Sequence, residues 1–269
     1  MKDKIGVGLI TCDRPDFYKK SFTSLWSAVE RLNMEYIVVN DGKEKLPHYP
    51  VWFYDTTGKE GVAKAKNYAL RNLMARECEH YFIMEDDIEI TNQFIFSKYV
   101  GAYEATGIKH FNFGLHGSGN LNPDRTPNIR KTVRYPDGTE IDLYPNVLGA
   151  FSYYHRSVLD KVGLMDEGFW NSMEHVKSTY DISLAGYTSP WRWFADVHNS
   201  SEYLQDIVPD HEKSVIRNDN FQEVFKRGLD RFIEQTGFSV VRGYGPAEPS
   251  ISESECLDNL REIYNQKSC

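Results

Sequence analysis

Tyr81-Phe82-Ile83-Met84-Glu85-Asp86-Asp87 sets four residues suited to a buried strand directly before three consecutive acids. Like charges repel and burial raises the cost of each carboxylate, so a triplet at the carboxyl end of a strand calls for positive charge beside it. A divalent cation answers that need, and hard oxygen ligands suit magnesium or manganese. A solvated loop start is the alternative reading of the same residues. The neighbouring segments decide between the two.

Upstream, Ile5-Gly6-Val7-Gly8-Leu9-Ile10 is a near-continuous apolar run, as a strand covered on both faces requires. Asp16–Leu32 follows with Phe17, Leu25, Trp26, Ala28 and Val29 at helical spacing, and Pro15 opens it. Tyr36–Val39 reads as a second strand ending in Asn40-Asp41-Gly42, Val51–Tyr54 as a third, Val62–Arg76 as a helix and Tyr81–Met84 as the fourth strand. Such alternation implies right-handed crossovers and a doubly wound parallel sheet. Thr11-Cys12-Asp13-Arg14, Asn40-Asp41-Gly42 and Glu85-Asp86-Asp87 each follow a strand end. In open α/β sheets ligands bind beyond those ends.

The second half changes character. Thr132–Tyr135 and Thr139–Tyr144 flank the turn Pro136-Asp137-Gly138 and predict a hairpin. Asn146–Tyr154 reads as a further strand, Arg156–Val162 as a short helix, and Glu174–Ala185 as a helix closed by Gly186. An amphipathic helix spans Asn220–Thr236, and a last helix starts at Ser252, where Ser252-x-x-Glu255 fits a capping box. Gly243–Ile251, with two prolines, reads as a linker.

The 269 residues are 41% apolar and 14% aromatic, ample for a packed core. Thirty-nine acids against 31 bases give a net charge of −8, which argues against sequence-indifferent nucleic-acid binding. No apolar run reaches the ~20 residues of a membrane span. Met1-Lys2-Asp3-Lys4 leads straight into the first strand without signal-peptide character, and Cys12, Cys78, Cys256 and Cys269 show no paired or zinc-type spacing. Free thiols in a cytoplasmic protein are the expectation.

Together these segments resemble the GT-A glycosyltransferases, of the family 2 type of nucleotide-sugar transferase. The likeness runs through Ile5–Pro15 (IGVGLITCDRP), similar to the family's first strand and Thr-x-x-Arg-Pro turn, and Val38–Gly42, similar to the strand ending in a base-contacting Asp. It continues through Gly61-Val62-Ala63-Lys64-Ala65-Lys66-Asn67, similar to a Gly-x-x-x-Ala-Arg-Asn helix start with Lys66 in place of Arg, and Glu85-Asp86-Asp87 at the Asp-x-Asp position. Val162–Phe169 with Glu174 resembles the acceptor-side block that carries the catalytic base.

The resemblance implies an α/β GT-A fold, a Rossmann-like doubly wound mixed sheet, over residues 1–205, with the nucleotide-sugar half in about 1–100 and the acceptor half in about 101–205. Residues 206–269 would form a helical C-terminal extension. It also implies a metal-dependent, inverting transfer of a sugar from a nucleoside diphosphate sugar, a UDP-sugar foremost, to an acceptor hydroxyl, with Mn2+ or Mg2+ as cofactor. Asp87 is the first metal ligand, Glu85 a second directly or through water, and His198 or His211 a late one. Thr11, Arg14, Lys66 and Asn67 are expected on the nucleotide or phosphates, Asp86 at the ribose, and Asp41 at the base. Where the family pattern has Glu-Asp, this chain has Glu174-His175, and either side chain is a candidate general base.

Three rival readings share these motifs. A sugar nucleotidyltransferase needs a glycine-rich basic loop after the first strand, and Thr11-Cys12-Asp13-Arg14-Pro15 is not one. A transferase-like binding module without catalysis is compatible with the altered Glu174-His175 block. The basic set Arg125, Arg130, Lys131 and Arg134 admits a hydroxyl-bearing modified DNA base as acceptor, beside a glycan or small molecule. Trp170, Trp191 and Trp193 border the acceptor block, and Leu115–Asn120 is a loop placed to close over substrate.

Overall fold

The computed structural model describes residues 4–46, 50, 52–56, 58–207 and 220–267. The chain opens as β1 (Ile5–Thr11), α1 (Pro15–Leu32), β2 (Glu35–Asn40), β3 (Phe53–Asp55), α2 (Val62–Ala75) and β4 (His80–Glu85), the alternation its sequence predicts. β1 lies between β2 and β4 and parallel to both, and β3 continues the sheet beyond β2. Val51 falls outside the described residues, and the third strand begins at Phe53. In register, Ile10 faces Val39 on one side and Glu85 on the other, so the polar segments after these strands emerge side by side.

The glycines of β1 have a packing reason. A Cβ on Gly8 would lie 2.6 Å from the Ala69 Cβ, and one on Gly6 2.8 Å from the Leu73 Cδ2. Helix α2 therefore rides directly on the β1 backbone. That close approach carries Lys66 and Asn67, one turn earlier, to the sheet's carboxyl end.

The remaining elements are β5 (Ile88–Ile90), α3 (Ile95–Thr106), β6 (His110–Asn112), β7 (Lys131–Arg134), β8 (Glu140–Tyr144), β9 (Phe151–His155), α4 (Arg156–Val162), α5 (Glu174–Leu184), β10 (Phe194–Val197), β11 (Leu204–Asp206), α6 (Phe221–Thr236) and α7 (Glu253–Gln266). β9 inserts between β4 and β6 antiparallel to each, giving a mixed six-stranded sheet in the order β3-β2-β1-β4-β9-β6. The predicted hairpin forms as β7 and β8, and β10 completes its three-stranded sheet. β11 pairs with β5 immediately after the acidic triplet.

One strand is shorter than its sequence predicts. Residues 146–150 are a loop, and β9 starts at Phe151. This loop passes over the end of β4, where the Glu85 amide donates to the Ala150 carbonyl (2.8 Å). Helix α5 packs closely on this loop, since a Cβ on Gly149 would lie 2.5 Å from the His175 Cγ.

Side chains alternate about the sheet, so each face has its own core. Val7, Leu9, Phe82 and Met84 pack with Leu25, Tyr99 and Leu260 on one face. Ile10, Val39, Tyr81 and Ile83 pack with Leu70, Leu73 and Val158 on the other. The C-terminal helices join these layers. α6 buries Leu229 and Phe232 against Phe169, Met173 and Trp191, and α7 buries Cys256, Leu260 and Ile263 in the first core. The Ser252–Glu255 capping box forms as its sequence predicts. No helix among the described residues is long and apolar enough to cross a membrane.

Candidate active site

A cavity of about 490 Å3 opens at the carboxyl ends of β1, β2 and β4. Thr11, Arg14, Asp41, Glu85 and Asp87 line it, together with Glu174 and His175. Its volume falls within the ~300–1,000 Å3 of small-molecule sites.

Two cations are laced through the acids. The first is Arg14, whose guanidinium pairs with Asp86 and lies 3.2 Å from the Asp87 Oδ2. The Thr11 hydroxyl donates to the other Asp86 oxygen at 2.6 Å. Asp86 is fully buried and does not line the cavity, so it anchors Arg14 and Thr11 rather than reaching a ribose. Burial pushes its carboxyl up, with Asp87 adding to the rise and Arg14 opposing it. Burial also opposes ionisation of Asp87, but His116 and Arg14 hold its carboxyl below the ordinary range.

The second cation is Lys66. Its ammonium lies 2.7 Å from the Glu85 Oε1 and 3.1 Å from the Glu174 Oε1, and it donates to the Gly149 carbonyl at 3.1 Å. A fully buried lysine with these neighbours is not a surface residue. Burial would favour its neutral form, but Glu85 and Glu174 raise it well above the ordinary lysine value. Lys66 thus ties the acid end of β4 to Glu174 at the start of α5, a residue 108 positions after the lysine itself.

Glu174 and His175 play different parts. The Glu174 carboxylate is buried, and Lys66 and His175 hold it far below the ordinary range against the effect of burial. Its Oε1 is 3.0 Å from the His175 Nδ1. An ionised carboxylate only accepts, so Nδ1 carries the hydrogen and Nε2 of the neutral ring keeps a lone pair. The ring lies close against Gly149, where a Cβ would meet its Cγ at 2.5 Å.

His116 was not singled out from the sequence, although the loop 115–120 was. Its Nδ1 bonds the Asp206 Oδ1 at 2.7 Å, and the Gly117 amide donates to the Asp206 Oδ2 at 2.7 Å. Burial pulls the imidazole down, but Asp206, Asp87 and Glu85 push it up to about 9, so it is cationic at neutral pH. The base of this loop is fixed by buried Asp196, which accepts from the Gly114 amide (2.8 Å) and the Ser200 hydroxyl (2.6 Å). A loop histidine far along the chain carries no motif, and only the β5–β11 pairing brings Asp206 beside it.

Other expected residues stand elsewhere. Asn67 is a clamp, not an anion contact: its amide donates to the Met165 carbonyl (2.8 Å) and Glu167, and accepts from the Met165 amide (2.9 Å). His198 sits on the three-stranded sheet against Asp142 (3.0 Å) and Glu140, and does not line the cavity. It belongs to that sheet rather than to a metal centre. His211 lies outside the described residues. Asp41 lines the cavity but also organises the loop before α2, accepting from the Thr56 hydroxyl (2.8 Å) and the Glu60 and Gly61 amides (2.8 and 2.9 Å). The Asx contact to the Gly42 amide comes from Asn40. In the basic set, Arg134 pairs with Glu140, Lys131 with Glu253, and Arg130 donates to the Arg192 carbonyl and stacks on Trp193. Of these, Arg134 and Lys131 are paired with carboxylates of the chain itself.

Among the described residues no three His, Cys, Asp or Glu side chains converge as a ready-made metal cage. The donor set nevertheless suits a hard divalent cation, because Asp87 Oδ1 is buried without a hydrogen-bond partner and Glu85 lies in the same cavity. Magnesium-type sites commonly use one or two carboxylates and take their other ligands from phosphate and water.

No protein-family profile matches the chain, and no curated protein is similar to it in sequence. Its structure is similar to the mannosyltransferase PcManGT from Pyrobaculum calidifontis, solved in complex with GDP-Man and Mn2+, with a TM-score of 0.51 at 14% identity over 71% of this chain. This chain spans about half, 55%, of that protein's length. The catalytic domain of Drosophila beta1,4-galactosyltransferase 7, solved with xylobiose, aligns with a TM-score of 0.44 at 12% identity, over 81% of this chain and 78% of that one. At such identities the likeness is one of fold. The chain is an α/β protein of the GT-A fold, its central sheet mostly parallel, with the cavity where that fold opens at its strand ends.

Proposed function

We propose that this protein is a glycosyltransferase that moves a sugar from a nucleoside diphosphate sugar, UDP-linked foremost, to an acceptor hydroxyl with inversion. One observation carries the reading: a single cavity is lined by both a cation-braced acid cluster and a carboxylate-held imidazole. The first suits a departing diphosphate, the second a hydroxyl nucleophile.

Asp87, through its unpartnered Oδ1, and Glu85 would hold Mn2+ or Mg2+. When bound, the cation supplies Lewis-acid stabilisation of the leaving diphosphate. Arg14 and the His116 imidazolium add positive charge on the same side. Asp41 has an oxygen lone pair left after its three loop contacts, which suits the imide N–H of uracil. In the same cavity, His175 Nε2 takes the acceptor proton, and Glu174 fixes the tautomer and steadies the imidazolium that forms. Glu174 itself is a positioning residue, because a carboxylate held so far down is a weak base.

Beyond β11, which ends at Asp206, helix α6 brings Phe221 and Phe225 to the cavity wall. The described cysteines, Cys12, Cys78 and Cys256, are free thiols, which supports a reducing, cytoplasmic setting.

The test is thermal stabilisation by a panel of UDP-, GDP-, dTDP- and CMP-sugars with and without Mn2+, followed by assay of nucleotide release. A ligand that binds only the folded state raises the melting temperature. The reading requires a Mn2+-dependent shift with at least one donor and its loss in Asp87→Ala. A panel without any shift, or a shift untouched by Asp87→Ala, refutes it. Donor binding without any turnover supports the non-catalytic binding module instead.

A further inference from the structure

A second cavity, about 360 Å3, lies beside the first, and Ser172 stands in the wall of both. It is enclosed by the Gly168–Ser172 segment and by α6, whose Arg227, Asp230, Arg231 and Glu234 face it. Trp170 forms an aromatic wall, 40% exposed, its indole held in place by donation from Nε1 to the Lys59 carbonyl at 3.2 Å.

The charges in this cavity balance and differ in freedom. Arg231 is committed to Asp166, with contacts of 2.7 and 3.0 Å, and Asp230 to Lys226 (2.8 Å) and the Tyr244 hydroxyl (3.0 Å). Arg227 and Glu234 have no hydrogen-bond or ion-pair partner among the described residues. A planar donor fork and a two-oxygen acceptor beside an exposed indole face are the groups that recognise a sugar ring. The fork and the carboxylate match vicinal hydroxyls, and the indole covers the ring's C–H face. Two arginines offset by two acids give no preference for an anion.

We propose that this second cavity is a subsite for a neutral saccharide unit next to the one bearing the reacting hydroxyl, so that the acceptor is a glycan of at least two units. The inference rests on the transferase reading above. Ser172 marks the passage between units: it lies two residues before Glu174, and its hydroxyl donates to the Val224 carbonyl of α6 at 3.1 Å. The C-terminal extension then has a function: α6 supplies the polar side of an acceptor track that the GT-A sheet alone lacks.

The experiment uses the full chain, whichever donor the stabilisation panel identifies, and acceptors of one to four units built from glucose, galactose, mannose and xylose. Acceptor-stimulated nucleotide release is read as kcat/KM. In the natural protein at least one series should gain about tenfold or more from the monosaccharide to the disaccharide. Arg227→Met and Glu234→Gln should each bring that ratio down toward one, and Trp170→Phe should retain more of it than Trp170→Ala. Equal use of mono- and oligosaccharides overturns the proposal, as does a ratio unchanged in Arg227→Met and Glu234→Gln. A change in UDP affinity without a change in the ratio overturns it too, by assigning the cavity to the donor. Failure of every donor to bind or turn over counts against the transferase reading itself and is seen before any acceptor is added.

Discussion

Replacing Lys66 by Met removes one buried cation and leaves the buried Glu174 carboxylate with only His175, while Glu85 faces the cavity. Lys66 is enclosed on all sides, 2.7 Å from Glu85 and 3.1 Å from Glu174, and Glu174 is itself 4% exposed. Breaking a buried pair by deleting one partner destabilises by about 3–5 kcal/mol, because the remaining charge is left uncompensated. That is a large share of the ~5–15 kcal/mol that holds a domain folded. The effect has a pH signature. In the natural protein Glu174 is held below its ordinary value, so its contribution is present above the unfolded value of about 4.3 and fades as pH falls below it. In Lys66→Met burial raises the carboxyl instead, and protonation relieves the penalty. The stability gap between the two proteins should therefore be full at pH 8 and shrink toward pH 4–5. Urea unfolding at pH 8, 6.5 and 5 measures it, with Lys66→Met/Glu174→Gln as the partner double variant, expected to regain part of the loss. A gap below about 1 kcal/mol at pH 8, or one that is constant across pH, would show that Lys66 is not the buried tie described here.

Gly149→Ala should fold yet lose about a hundredfold in transfer rate, because the added Cβ would lie 2.5 Å from the His175 ring; normal turnover would separate that ring from the chemistry. Asn67→Ala leaves the Met165 amide and carbonyl without their partner and should lower stability by about 1–3 kcal/mol in urea unfolding, with donor affinity unchanged; weakened donor binding would return Asn67 to the nucleotide. His116 is raised to about 9, above its unfolded value near ~6.5, so its stabilisation is complete below the lower value and lost as pH rises through the upper. The stabilities of the natural protein and His116→Gln should converge between pH 7 and 10 by on the order of 3 kcal/mol, and parallel curves would contradict the Asp206 pairing.

The polar cluster at the sheet's carboxyl edge was legible because its groups follow strands that are close in sequence and parallel in space. Apolar runs located β1, β2 and β4, and the polar segments after them could then meet only at one edge. What was not legible depends on pairing across long separations. Asp206 meets His116 because β11 returns beside β5, and Lys66 meets Glu174 because β9 runs back along β4. Neither pairing leaves a local pattern. Lys66 was expected on the nucleotide or phosphates, and nothing in its neighbours announced that α2 sits on two glycines and buries it between Glu85 and Glu174. His198 had the right residue type but the wrong sheet. The helices α6 and α7 were legible from amphipathic spacing alone, while the partner each one covers was not.

The antiparallel placement of β9 also bears on how the molecule can be divided. β4 has β1 on one side and β9 on the other, and β9 comes from the half of the chain that carries Glu174. A fragment ending near residue 100 would present the length of β4 as a bare sheet edge, with Tyr81, Phe82 and Ile83 open to other chains. Lys66 would stand in it without Glu174. Such a half should aggregate when made alone and be rescued only when its complement is expressed with it, so the two parts of the chain form one folding unit rather than two exchangeable pieces.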